Sequence, residues 1–170
     1  MAAPRKFVVR GPLVVPTDGP SGSRHLDRTS LRSFWAGEAS EYADDIGCYV
    51  FALRRGGGST PIYVGRTSRS FKAECFTDRN YRLLHMAMSG QRGTLMLYLV
   101  SYVRSRGRVN GRAIGDVERF LVESAIEKNP SLANLVFTKG EPGFMIQGVH
   151  RSRGRSSSSA RSLKGTLGIV

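Results

Sequence analysis

The chain has 170 residues, 40% of them apolar, which is enough for one domain with a real core and excludes a wholly disordered chain. Lys and Arg number 26 against 13 acidic residues, a formal charge of +13, so the expected partner is a polyanion, nucleic acid before any other. The two cysteines, Cys48 and Cys75, have no metal-type spacing and exclude a disulfide scaffold, which fits a reducing compartment.

The first fifteen residues hold Phe7-Val8-Val9 and Leu13-Val14-Val15, separated by Gly11-Pro12. The spacing predicts a strand, or two short strands with a bend at the proline. Arg10 and Pro12 break the run, so it is too short for a signal peptide or a membrane span. The expected location is cytoplasmic, with no membrane partner. Residues 17–23 (TDGPSGS) read as a turn. Leu31, Phe34 and Trp35 have helical spacing, and Trp35 reads as a packing residue.

The next stretch, 47–65, organises the chain. Residues 47–53 (GCYVFAL) and 61–65 (PIYVG) are strand-like, and 54–60 (RRGGGST) is a glycine-rich connection, so the pair predicts a hairpin. Antiparallel pairing can bring Tyr49 and Tyr63 to one face of it. Ser70 is a candidate N-cap of a short helix, and a second helix is expected over 81–89, ended by 90–93 (GQRG). Residues 94–103 (TLMLYLVSYV) are nearly all apolar and predict a buried central strand. Residues 104–112 form a very basic loop.

The strongest helical pattern covers 115–129. Ile114, Val117, Leu121, Val122 and Ala125 fall on one side, and Glu118 falls among them. A carboxylate amid apolar residues is costly to bury unless something pairs with it or binds it. It either reaches solvent or a nearby Arg, or ligates a metal. Pro130 ends the helix, residues 140–143 (GEPG) are a turn, and 144–149 form a short strand. Residues 150–161 are basic and serine-rich and read as a mobile loop or arm.

Gly47-Cys48-Tyr49 followed by Tyr63-Val64-Gly65 resembles the paired signature of the GIY-YIG endonuclease family, with Cys48 and Val64 at the two Ile positions. Glu118, followed by Leu121-Val122, Pro130 and Asn134, resembles the family's metal-binding helix and what lies beyond it. The resemblance covers about half the chain, Ile46 to Leu135. It implies an α/β fold with a small, mainly antiparallel three-stranded sheet (47–53, 61–65, 94–103) flanked by helices. Residues 1–45 would be an extension packed on a nuclease domain at 46–149, and 150–170 a basic C-terminal segment. It also implies a DNA endonuclease that hydrolyses phosphodiester bonds. Glu118 would bind Mg²⁺ or Mn²⁺, Tyr49 would act as general base or position the water, and Tyr63 would assist. Asn134 would complete the set. Family members carry an Arg about ten residues past the second tyrosine, where this chain has Lys72 and Ala73. Lys72 is the expected replacement, with Arg69 and Arg66 next, and Arg79 and Arg82 farther along. His85 is an alternative base. A free phenol titrates near 10, so Tyr49 would need nearby cations to act as a base. The alternative is a non-catalytic nucleic-acid-binding module of the same fold, and RNA as the target stays open.

Overall fold

A computed structural model describes residues 5–104, 108–133, 144–150 and 154–170. Strand β1 (Arg5–Val14) is followed by helix α1 (Arg28–Ala36) and the hairpin β2 (Gly47–Arg55) and β3 (Gly58–Thr67). Then come α2 (Phe71–Glu74), α3 (Asp78–Met88), β4 (Thr94–Tyr102), α4 (Gly111–Lys128), β5 (Phe144–Ile146) and α5 (Ser158–Leu167). The strands form one sheet in the order β3-β2-β4-β1-β5. Neighbours are antiparallel except β5, which runs parallel to β1.

The α/β class stands, but the sheet has five strands rather than three. The three expected strands are β2, β3 and β4. The segment before residue 45 adds β1 inside the sheet, between β4 and β5, instead of only packing on it. Gly11-Pro12 interrupts its pattern: the register shifts between Arg10 and Leu13. Phe7 and Val9 therefore face one side of the sheet, and Leu13 and Val15 the other. Strand β5 is only three residues long, too short to carry a period.

Helices cover both faces. On one side α4 and α5 pack on Cys48, Val50, Ala52, Val64, Tyr98 and Val100. On the other, α1 to α3 pack on Tyr49, Phe51, Leu53, Leu97 and Leu99. The alternation of side chains along β2 sends odd and even residues to opposite layers. Strand β4 is buried along nearly all its length, which explains its continuous apolar run.

Helix α4 starts at Gly111, four residues before the expected start, because Asn110 caps it: its side chain accepts from the Ala113 N–H at 3.0 Å. All five residues of the expected stripe are buried. The serine-rich tail also differs from expectation, since residues 158–167 are helical. Ser157 caps α5, and Ala160, Leu163 and Leu167 are buried at helical spacing. Ser162 and Thr166 hydrogen bond the Tyr98 hydroxyl at 2.8 and 3.0 Å, so two polar residues serve as inward-facing ones. Of the expected features, the turn at 140–143 lies outside the described residues.

Candidate active site

Both glycines that bracket the hairpin signature are required by packing. Gly47 has φ of 144°, and a Cβ there would lie 2.1 Å from the Val100 carbonyl oxygen of β4. Gly65 stands opposite Tyr49 in the β2–β3 register, and a Cβ there would lie 2.4 Å from Tyr49 Cζ. The missing side chain of Gly65 is the space the Tyr49 ring occupies. Tyr63 pairs with Phe51, so it is the diagonal neighbour of Tyr49 on the same face, with ring centroids 6.2 Å apart. Between the tyrosine-bearing positions, Cys48 and Val64 turn to the other layer. The Cys48 thiol donates to the Ile114 carbonyl of α4 at 3.3 Å, and burial, before any charge, pushes its pKa well up.

The two phenols differ in environment. Tyr49 is only 2% exposed. Its hydroxyl accepts from Asn80 Nδ2 at 2.8 Å, and its ring packs on that of Tyr63. Asn80 is itself buried and also donates to the Glu74 carbonyl at 2.9 Å. Burial pushes the Tyr49 pKa far above a free phenol's, and the neighbouring Cys75 and Tyr63 push the same way. A hydroxyl so placed does not meet water as a base, and the cations expected to activate Tyr49 do not offset its burial.

Tyr63 lies half-exposed on the edge strand β3. Burial raises its pKa, Arg79 pulls it down, Glu118 pushes it up, and the hydrogen bond from Tyr49 lowers it. Arg79 therefore stands within electrostatic reach of the outer phenol. The sequence places Arg79 only beyond the position of the family's Arg, and the helix expected over 81–89 does not include it. Helix α3 begins at Asp78, with the Thr77 hydroxyl accepting from the Asn80 N–H. Thr77 followed by an acidic residue is the signal that places Arg79 and Asn80 in the first turn.

Glu118 reaches the same sheet edge from the opposite layer. Its carboxylate pairs with Arg66 of β3, Nε to Oε2 at 3.1 Å. Gly115 makes this possible, since a Cβ there would lie 2.6 Å from Arg66 Nη1. The Glu118 side chain is 28% exposed, and burial raises its pKa with Arg66 offsetting only part of that. A single carboxylate, with water completing the shell, suits Mg²⁺ or Mn²⁺. Among the described residues, no group of three or more His, Cys, Asp or Glu side chains could hold a metal ion, so any ion here would rest on Glu118.

Beside this pair, a cleft of about 490 Å³ is lined by Arg66, Thr67, Ser68, Arg69, Glu74 and Ile114. Arg69 is engaged there by Glu74, its Nε donating to Oε1 at 2.7 Å. Lys72 is not brought to this cleft. It lines a different one, with Trp35 and Phe76. His85 is held as a structural acceptor: its Nε2 takes the Leu26 N–H at 3.1 Å, and burial lowers its pKa. Asn134 lies outside the described residues.

Tyr63, Arg79, Arg66 and Glu118 thus gather around one edge strand, and Tyr49 and Asn80 support them from beneath. The chain matches no protein-family model, no curated protein and no solved structure.

Proposed function

We propose that the chain is a divalent-cation-dependent endonuclease acting on DNA, of the GIY-YIG type that its signature resembles. One observation carries the reading. An outer phenol, packed on a buried phenol that an amide holds, shares a strand edge with a partly buried carboxylate paired to Arg66, and with Arg79.

Phosphodiester hydrolysis forms a bond from water oxygen to phosphorus and breaks the bond to the leaving oxygen; the water's proton passes to bulk solvent, and the leaving oxygen takes one from it. In this reading Tyr63 aligns the attacking water. Its raised pKa keeps the hydroxyl protonated near neutrality, so it positions water rather than carrying off the proton. Tyr49, held by Asn80, packs against the Tyr63 ring and helps set its position. Arg79 and Arg66 supply positive charge where the phosphate oxygens gain negative charge. Glu118 would hold the cation, which would supply charge neutralisation to the phosphate and the leaving oxygen.

The expected contact with a polyanion has further support at the other end of α4. There Arg55, Lys128 and Arg161 line a cleft with Ser59, Thr60 and Ser162. Contacts of that kind give affinity without sequence reading.

A non-catalytic binding module is the second reading. It is favoured by the Arg66–Glu118 pair, which already occupies the carboxylate. Cleavage of supercoiled plasmid separates the two. Cutting with Mg²⁺ or Mn²⁺, abolished by EDTA and by Glu118→Ala, supports the nuclease. DNA binding without cutting under either ion supports the module.

A further inference from the structure

A second cleft, lined by aromatic as well as cationic side chains, has no lining residue in common with the Arg66–Glu118 cleft. Helix α1 presents Arg28, Arg32 and Trp35 along one side, at the spacing of successive turns. Helix α2 adds Lys72, helix α3 adds Tyr81, and the turn between them adds Phe76. The enclosed space is about 450 Å³, within the size range of small-ligand sites.

Its parts have separate characters. Phe76 and Tyr81 are half-buried and leave ring surface at the cleft, while Trp35 is 6% exposed behind them. Phe76 is braced edge-on by Trp35, with centroids 6.0 Å apart, and by Phe51 at 5.5 Å. Tyr81 is fixed by a hydrogen bond to the Leu26 carbonyl and by stacking on His85 at 4.6 Å. The rings are therefore held before any ligand arrives. Arg28 lies over Tyr81, 5.5 Å from its centroid, and its charge is met by Asp78. Arg32 and Lys72 are exposed and form no ion pair among the described residues. Two uncompensated cations thus rim a floor of fixed aromatic rings.

Phosphate alone needs no aromatic floor, and an apolar ligand needs no cations. We propose that this cleft takes an unstacked base of a single-stranded stretch of nucleic acid, with its flanking phosphates on Arg32 and Lys72. Stacking on aromatic rings beside a basic rim is how single strands are held without sequence preference. Lys72, expected from sequence to serve at the catalytic centre, acts here as a binding residue. The inference rests on the nucleic-acid part of the proposed function and not on cleavage.

Trp35 is the chain's one tryptophan, so its fluorescence reports on this cleft alone. The experiment titrates the full chain in EDTA with an eight-nucleotide oligothymidylate, beside an abasic strand of the same length and charge. The thymine strand should change the emission and bind roughly tenfold more tightly than the abasic one. Arg32→Gln with Lys72→Gln should weaken that binding and lower the salt slope by about 1.4, two single-strand contacts. Circular dichroism confirms that the double variant is folded. Equal affinity for the two strands, unchanged emission, or an unaffected double variant would overturn the proposal. Base-dependent emission changes in a chain that cuts no plasmid keep the cleft and remove the nuclease. Plasmid cutting without them does the reverse.

Discussion

The two faces of the sheet are built from different materials. The face under α4 and α5 is largely aliphatic, with Val50, Val64 and Val100 meeting Val117, Leu121 and Leu163. The face under α1 to α3 is aromatic, with Tyr49, Phe51, Phe34, Trp35, Phe71 and Phe76 in edge-on contact. Aliphatic packing fixes α4 and with it the position of Glu118. Aromatic packing leaves one hydroxyl at the rim and another below it. The comparison teaches that one layer holds the carboxylate by shape, whereas the other holds the phenol by a chain of hydrogen bonds.

That difference can be broken from either side. Leu121→Ala, fully buried in the aliphatic layer, should cost about 2–5 kcal/mol of stability by chemical denaturation. The folded fraction should keep its cleavage rate. Gly65→Ala puts a methyl group into the Tyr49 ring, and overpacking of this kind costs roughly 1–3 kcal/mol. Here the rate should fall as well, because the ring that steadies Tyr63 must move. Asn80→Ala leaves the Tyr49 hydroxyl and the Glu74 carbonyl without their donor, for about 1–3 kcal/mol. A variant at Asn80 with unchanged stability and rate would remove it from the site.

Much of this arrangement was legible in the sequence. The stripe of α4, with Glu118 inside it, follows from a strong period in which hydrophobic residues alone decide the buried side. The hairpin and its two tyrosines follow from glycines and β-formers at short range. What was not legible depends on polar residues acting as interior ones. Asn80 is buried because it donates to Tyr49 and to backbone, and no hydropathy pattern marks that. Helix α5 buries Thr166 against Tyr98, so its serine-rich sequence reads as a loop. Lys72, the first-ranked cation, lines a different cleft and Arg79 stands near Tyr63, because a shift of a few residues at a helix start turns a side chain to another side.

Glu118 offers a gentler test through pH. Its folded pKa is raised above the ordinary value of 4.5, so between the two the native state binds more protons than the unfolded one. Its contribution is fully present below the ordinary value and is lost as pH rises through the folded value. Glu118→Gln should flatten that slope in a series of denaturation curves. A slope unchanged in the variant assigns it to other groups. The smallest effect is expected from Arg28→Ala, whose ion pair with Asp78 is exposed on both sides. Its melting temperature should match that of the parent.

The account rests most heavily on the division between the wet phenol and the dry one. Single-turnover cleavage by Tyr63→Phe and Tyr49→Phe, at equal DNA occupancy with saturating Mg²⁺, tests it directly. Tyr63→Phe should lose roughly a hundredfold in rate, the scale on which losing the alignment of an attacking group slows a reaction. Tyr49→Phe should lose much less, because it removes only the support for Tyr63. A larger loss at Tyr49 than at Tyr63, or no loss at either, would contradict the assignment.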